Sequence, residues 1–196
     1  SVITVPIRRL TVPFIALSLT AVVAAACSGG SGASPSQPAP SATEVAADAC
    51  PTSQPAPLPA GETRTVTLAT EKGAIVIGIQ ADLSPIAAGN FVALASCGYY
   101  DGTVFHRLVP EFVIQGGDPT GTGTGGPGYE IKDEPVTTTY HRATVAMART
   151  AAPDSVGSQF FIVLTDEAEV PLASANTYQI IGEVTSGMDV VDAIAA

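Results

Sequence analysis

Basic residues are scarce in this chain. Only eight of its 196 residues are Lys or Arg, against eighteen Asp or Glu, for a net charge of −10. A protein that binds nucleic acid by neutralising phosphates needs the opposite balance, so that class is set aside. Tryptophan is absent, and the two histidines and three cysteines show no CxxC or HExxH spacing. A dedicated zinc or iron–sulfur centre therefore lacks its ligand pattern. A hydrolytic triad lacks its elbow as well, because GxSxG does not occur and neither His106 nor His141 has a Ser or Cys partner in such a context. The acidic pairs Asp133-Glu134 and Asp166-Glu167 read as solvated loops rather than as paired glycosidase carboxylates. Charged residues make up 13% of the chain and aromatics 6%, against 46% hydrophobic. One domain with appendages fits this length; two full domains do not.

Long hydrophobic runs are also lacking. Leu10 through Ala26 is the nearest approach, shorter than the roughly 20 apolar residues a transmembrane helix needs. It follows Arg8 and Arg9 and ends in Ala24-Ala25-Ala26 before Cys27, the pattern of a secretory signal. That junction resembles the lipobox of bacterial lipoproteins. The resemblance implies that residues 1–26 are a signal peptide and that Cys27 becomes a lipidated N-terminus. The mature chain would then be extracytoplasmic and anchored to the cell membrane; the alternatives are a plain signal peptide or an uncleaved anchor. From Ser28 to Ala60 the sequence is rich in Pro, Ser, Gly and Ala, with no aromatic and with Val45 and Leu58 as its large aliphatics. Such a stretch buries too little to offset its ordering entropy, so 27–60 is expected to be a disordered tether. With Cys27 assigned to lipid, Cys50 and Cys97 remain, and exported proteins sit where disulfides persist. A bridge between them is the expectation; two unrelated thiols are the alternative.

From residue 61 to 196 the pattern is that of a folded domain. Thr65-Val66-Thr67-Leu68 alternates, Glu71-Lys72-Gly73 turns the chain, and Ala74–Ile79 is a β-branched run, which together predict a hairpin. Ser84-Pro85 then opens a helix whose apolar face is Ile86, Phe91, Leu94 and Ala95, stopped by Gly98. Short apolar runs at Val104–Val109, Phe112–Gln115, Thr144–Ala148, Phe160–Leu164 and Tyr178–Ile181 predict strands, and Met188–Ala195 a second helix. Many short strands with two helices point to a small antiparallel barrel or sandwich. Gly121-Thr122-Gly123-Thr124-Gly125-Gly126 satisfies GxGxxG formally, but Pro127-Gly128 follows it where a dinucleotide site needs a helix. It is expected to be a flexible loop.

Arg107, Phe112 and Gln115 sit on two adjacent short strands, and Gln159 and Phe161 two apart on a later one, where i and i+2 share a face. One Arg among amides and aromatics makes an apolar groove with a few directional donors. The blocks FHRLVPEFVIQGGDPTGTGTGG, VAMART, GSQFFI and YQIIGEVTSGMDVVDAI, spread from Arg64 to Ile194, are similar to the cyclophilin family of peptidyl-prolyl isomerases. The resemblance implies a mainly β fold, an eight-stranded antiparallel barrel capped by two helices with its substrate groove outside. Because the family continues past its last helix into a closing strand and this chain ends at Ala196, the barrel is expected to be one strand short.

By the same resemblance Arg107 is the catalytic arginine, Phe112 and Gln115 belong to the catalytic set, and Val113, Phe161 and Leu172 build the proline pocket. Gln159 and Ala148 line the groove, Tyr178 replaces a frequent histidine, and Pro171 stands where many members have tryptophan. The implied activity is cis-trans isomerisation of X-Pro bonds in exported proteins, without metal or cofactor; nothing in the sequence specifies an oligomer, so a monomer is expected. Its partners would be proline-containing segments, and the membrane through Cys27. A non-catalytic module that grips proline-containing segments is the competing reading.

Overall fold

The computed structural model describes residues 2–6, by backbone alone, and 49–196. Cys27 and the tether up to residue 48 lie outside the described residues.

The frame is one sheet. Strand β1 (Val2–Pro6) lies parallel to β2 (Thr63–Thr70), which turns antiparallel into β3 (Gly73–Gln80). After helix α1 (Pro85–Ser96) come β4 (Arg107–Val109), β5 (Val113–Gly116), β6 (Thr144–Met147) and β7 (Phe160–Val163). Helix α2 (Glu169–Ala175), strand β8 (Ile180–Ser186) and helix α3 (Met188–Ala195) follow. The order across the sheet is β1-β2-β3-β8-β6-β7-β5-β4, with antiparallel neighbours throughout β2 to β8, and it is open between β1 and β4. Two features differ from the expectation. The parallel strand β1 comes from the stretch assigned to the signal peptide, and α2 is a third helix. Pro171 is accommodated because it falls in the first turn of α2, where a missing N–H leaves no bond unmade.

Alternation drives the packing. Ile75, Ile77 and Ile79 of β3 and Val66 and Leu68 of β2 are fully buried and meet Phe91 and Leu94 of α1. Tyr100 and Phe160 complete that core around Phe91, the three ring centroids lying 5.2 to 5.7 Å apart. Strands β5 and β7 are buried on both faces. Ile114, Phe160 and Ile162 point to this core, whereas Val113, Phe161 and Val163 point to a second cluster with Ala146, Leu172 and Ile180. The second cluster underlies the candidate site. At Gly182 (φ 157°) an added Cβ would sit 2.0 Å from the Gly78 carbonyl oxygen, so β8 and β3 can close only on glycine.

Residues 49–60, which composition assigns to the tether, are applied to the domain instead. Leu58 packs on the core and its N–H donates to the Pro85 carbonyl (3.0 Å), while Gln54 accepts from Lys132 N (3.0 Å). At Gly89 a Cβ would lie 2.4 Å from the Ala56 carbonyl oxygen, so this glycine in mid-helix is what lets the strap approach. Cys50 is joined to Cys97, at the C-terminus of α1, with Cα atoms 5.1 Å apart. Apolar content underestimated this stretch because backbone bonds and one disulfide order it.

Candidate active site

Strand register assembles the site. Arg107 on β4 faces Gln115 on β5, Gln115 faces Phe161 on β7, and Phe161 faces Ala146 on β6. Residues directly opposite share a face, so guanidinium, amide and ring form a row across the sheet. The turn that joins β4 to β5 is tight, with Glu111 at φ 59° and Phe112 N–H donating to the Val109 carbonyl (3.1 Å). It brings half-buried Phe112 back beside Val113.

The row opens into a pocket of about 210 Å³. Phe161, Val113 and Leu172 form its buried lining, and Arg107, Phe112, Gln115, Ala148 and Tyr178 its more exposed lining. Tyr178 stands edge-on to Phe161, ring centroids 5.4 Å apart. Its backbone is held by Tyr140, whose hydroxyl donates to the Tyr178 carbonyl (2.9 Å) and accepts from the Tyr178 N–H (3.2 Å). Burial pushes the Tyr140 phenol up to about 12, so it stays a neutral donor at physiological pH. Leu172 reaches the pocket because α2 turns its one buried residue toward Phe161.

Polar groups next to the pocket form a relay. Arg107 Nη1 donates to Gln115 Oε1 (3.4 Å), Gln115 Nε2 to Gln159 Oε1 (2.9 Å), and Gln159 Nε2 to the carbonyls of Gly123 (3.0 Å) and Gly125 (2.9 Å). Gln159 is thus one step removed from the pocket. It lies in an adjoining groove of about 700 Å³ between the glycine-rich loop and residues 148–150.

Sequence reasoning missed Arg149, which borders both depressions. Its guanidinium pairs with Asp133 (2.8 Å) and donates to the carbonyls of Thr150 (3.2 Å) and Ala152 (2.6 Å). Its position directly after Ala148 was the available signal. The glycine-rich loop is also not loose, because it winds around the buried carboxylate of Asp118. Burial would raise the Asp118 pKa, but hydrogen bonds from Gly125, Thr120 and Gly123 outweigh it and hold the carboxyl well below the usual carboxylate range. His106 lies under this loop, 3.7 Å from where a Gly123 Cβ would stand. Among the described residues no group of three or more His, Cys, Asp or Glu side chains could hold a metal ion.

An open antiparallel sheet with an apolar pocket and a single cationic relay on one face defines a binding groove for an extended, partly apolar chain. Residues 65–196 match the model of the family described as cyclophilin type peptidyl-prolyl cis-trans isomerase/CLD. The chain belongs to that family. It is 39% identical over 137 residues to the peptidyl-prolyl cis-trans isomerase of Helicobacter pylori, covering 68% of this chain and 81% of the relative. It is 47% identical over 130 residues to the spliceosome-associated protein CWC27 homolog of Danio rerio, 61% of this chain but 26% of that protein, so it spans about a quarter of that relative's length. Among solved structures, it resembles a Cryptosporidium parvum cyclophilin type peptidyl-prolyl cis-trans isomerase crystallised in the presence of the dipeptide Ala-Pro. That match has a TM-score of 0.60 and 33% identity, and covers 67% of this chain and 84% of the other.

Proposed function

We propose that this chain isomerises X-Pro bonds in exported proteins from a lipid anchor at Cys27. The observation that carries the catalytic part is the Arg107–Gln115 pair at the rim of a pocket floored by Phe161. Rotation about an X-Pro amide meets a barrier of about 20 kcal/mol because the nitrogen lone pair is delocalised into the carbonyl. In the twisted transition state that pair localises on nitrogen, so the protein need only bind the twisted form better than either planar one. The proline ring enters among Phe112, Val113, Phe161 and Leu172, where water is scarce. From the rim, Arg107 donates to the substrate backbone and to the prolyl nitrogen as it pyramidalises. A low local dielectric strengthens this contact and disfavours the charge-separated resonance form. Gln115 keeps the guanidinium over the pocket, and Tyr178 bounds the far side. No bond to the protein forms in this scheme.

Arg107→Ala is expected to lower turnover of a proline peptide by a hundredfold or more, roughly what one transition-state donor supplies, with unfolding unchanged. Near-normal turnover would sink the catalytic reading, and wild-type protein that binds the peptide without accelerating exchange would make the chain a holdase. The export reading is supported by the Ala-Ala-Ala-Cys junction and by the Cys50–Cys97 bridge, a bond that lasts in oxidising compartments. In a bacterial host the chain should fractionate with membranes and Cys27→Ser should not; an unchanged distribution would remove the anchor.

A further inference from the structure

The carboxylate of Asp118 is fully buried and has no charge partner among the described residues, yet it is the most densely hydrogen-bonded side chain near the groove. Its Oδ1 accepts from Thr120 N (2.7 Å) and Thr120 Oγ1 (2.8 Å), and its Oδ2 from Gly123 N (2.6 Å), Gly125 N (3.0 Å) and Thr122 N (3.1 Å). These bonds wrap the loop so tightly that a Cβ on Gly125 would lie 2.0 Å from Oδ1. The same wrapping turns the carbonyls of Gly123 and Gly125 toward Gln159.

Those two carbonyls fix more than position. Facing two acceptors, the Gln159 amide must present its NH2 to the loop and its oxygen to the other side. Gln115 must then present its NH2 to Gln159, which leaves its own oxygen for Arg107. Were either amide reversed, an NH2 would meet the guanidinium and the arginine would be driven out of place. The donor–acceptor sense of the relay is therefore set at its far end.

We propose that Asp118 is a positioning residue for Arg107, acting through the glycine-rich loop, Gln159 and Gln115. This rests on the isomerase reading for its kinetic consequence but not for its geometry. Only a carboxylate offers two acceptor oxygens to these donors. In Asp118→Asn an NH2 faces backbone N–H groups, the loop carbonyls shift, and the amides lose their fixed sense.

The test compares wild type, Asp118→Asn and the milder Thr120→Val, which removes one hydroxyl donor. Turnover and KM on a proline peptide are measured beside the NMR signal of the Arg107 Nε–Hε group, identified by its loss in Arg107→Lys. Asp118→Asn is expected to lower kcat about tenfold to a hundredfold, the scale on which a displaced group is felt, while KM moves much less. The Arg107 signal should shift or broaden, and Thr120→Val should move both readings the same way by less. Combined with Gln159→Leu, the loss should be no greater than that of the stronger single variant. Arg142→Ala, which removes the distant Arg142–Asp192 pair, serves as a control for lowered stability and should leave kcat and the Arg107 signal alone. An unmoved Arg107 signal in Asp118→Asn and Thr120→Val, or losses that multiply in the double variant, would overturn the proposal. Should Asp118→Asn fail to fold, Thr120→Val and Gln159→Leu carry the same comparison. Wild-type protein without turnover would overturn the isomerase reading instead, and the Arg107 signal would still decide the relay.

Discussion

Glu134 shows how one side chain can act far from its place in the sequence. Helix α1 begins at Pro85, yet the Ser84 hydroxyl makes no capping bond. The free N–H groups of Ile86 and Ala87 donate instead to the two oxygens of Glu134, both at 2.9 Å. A carboxylate at a helix N-terminus satisfies two otherwise unpaired donors and lies at the positive end of the dipole. Glu134→Ala is expected to cost about 1–2 kcal/mol, the range for loss of a helix cap, measured by urea unfolding at constant slope. Glu134→Gln, which keeps one acceptor, should fall between. No change in either would mean that water replaces the cap at no cost. As half of an acidic pair in a loop, Glu134 gave no local sign of this role, because its partners lie 48 and 47 residues away.

At the scale of elements, strands were legible wherever one face is buried at a period of two. Ile75, Ile77 and Ile79 announce β3 because every second residue must leave water, and the Ser84-Pro85 start announces α1. The pocket residues were named by the family resemblance rather than by alternation; strand register is what sets Arg107, Gln115 and Phe161 side by side, and alternation alone does not say that β5 pairs with β7. Three features were not legible. Helix α2 is short, carries Pro171 and borrows its stability from Leu172 in the second core. Arg149 is held by Asp133 and two loop carbonyls, none of which sequence spacing fixes. The strap of residues 49–60 has little to bury beyond Leu58, so hydrophobicity undervalues it. Its disulfide spans 47 residues, and closing a loop of that size removes about 4 kcal/mol of chain entropy from the unfolded state. The order of this segment is therefore tied to the oxidation state of Cys50 and Cys97, and the strap leads by way of Gln54 to Lys132, next to the Asp133 that holds Arg149.

For the molecule as a whole, acid is the condition that separates the working loop from the rest of the chain. The sequence carries a net charge of −10 and has a pI near 4.4, so lowering the pH from neutrality first relieves self-repulsion. Asp118 responds later. An unfolded aspartate titrates near 3.9, and the folded value lies well below the usual range because the loop donors favour the charged form over the cost of burial. A carboxyl depressed on folding contributes stability that is present above its unfolded value and is lost as the pH falls through the folded one. The difference in unfolding free energy between wild type and Asp118→Asn should therefore be constant from pH 7 to about pH 4 and shrink below it. All other carboxylates cancel in that difference, which urea titrations at a series of pH values would measure. A difference that stays flat to about pH 2, or grows with acid, would mean the loop does not favour the ionised carboxylate. Turnover, by contrast, reads only the folded protein, whose Asp118 stays ionised in this range, so activity on a proline peptide should outlast the onset of that shrinkage; turnover lost near pH 4 while the sheet stays folded would mean that the loop does not hold Asp118 below the usual carboxylate range.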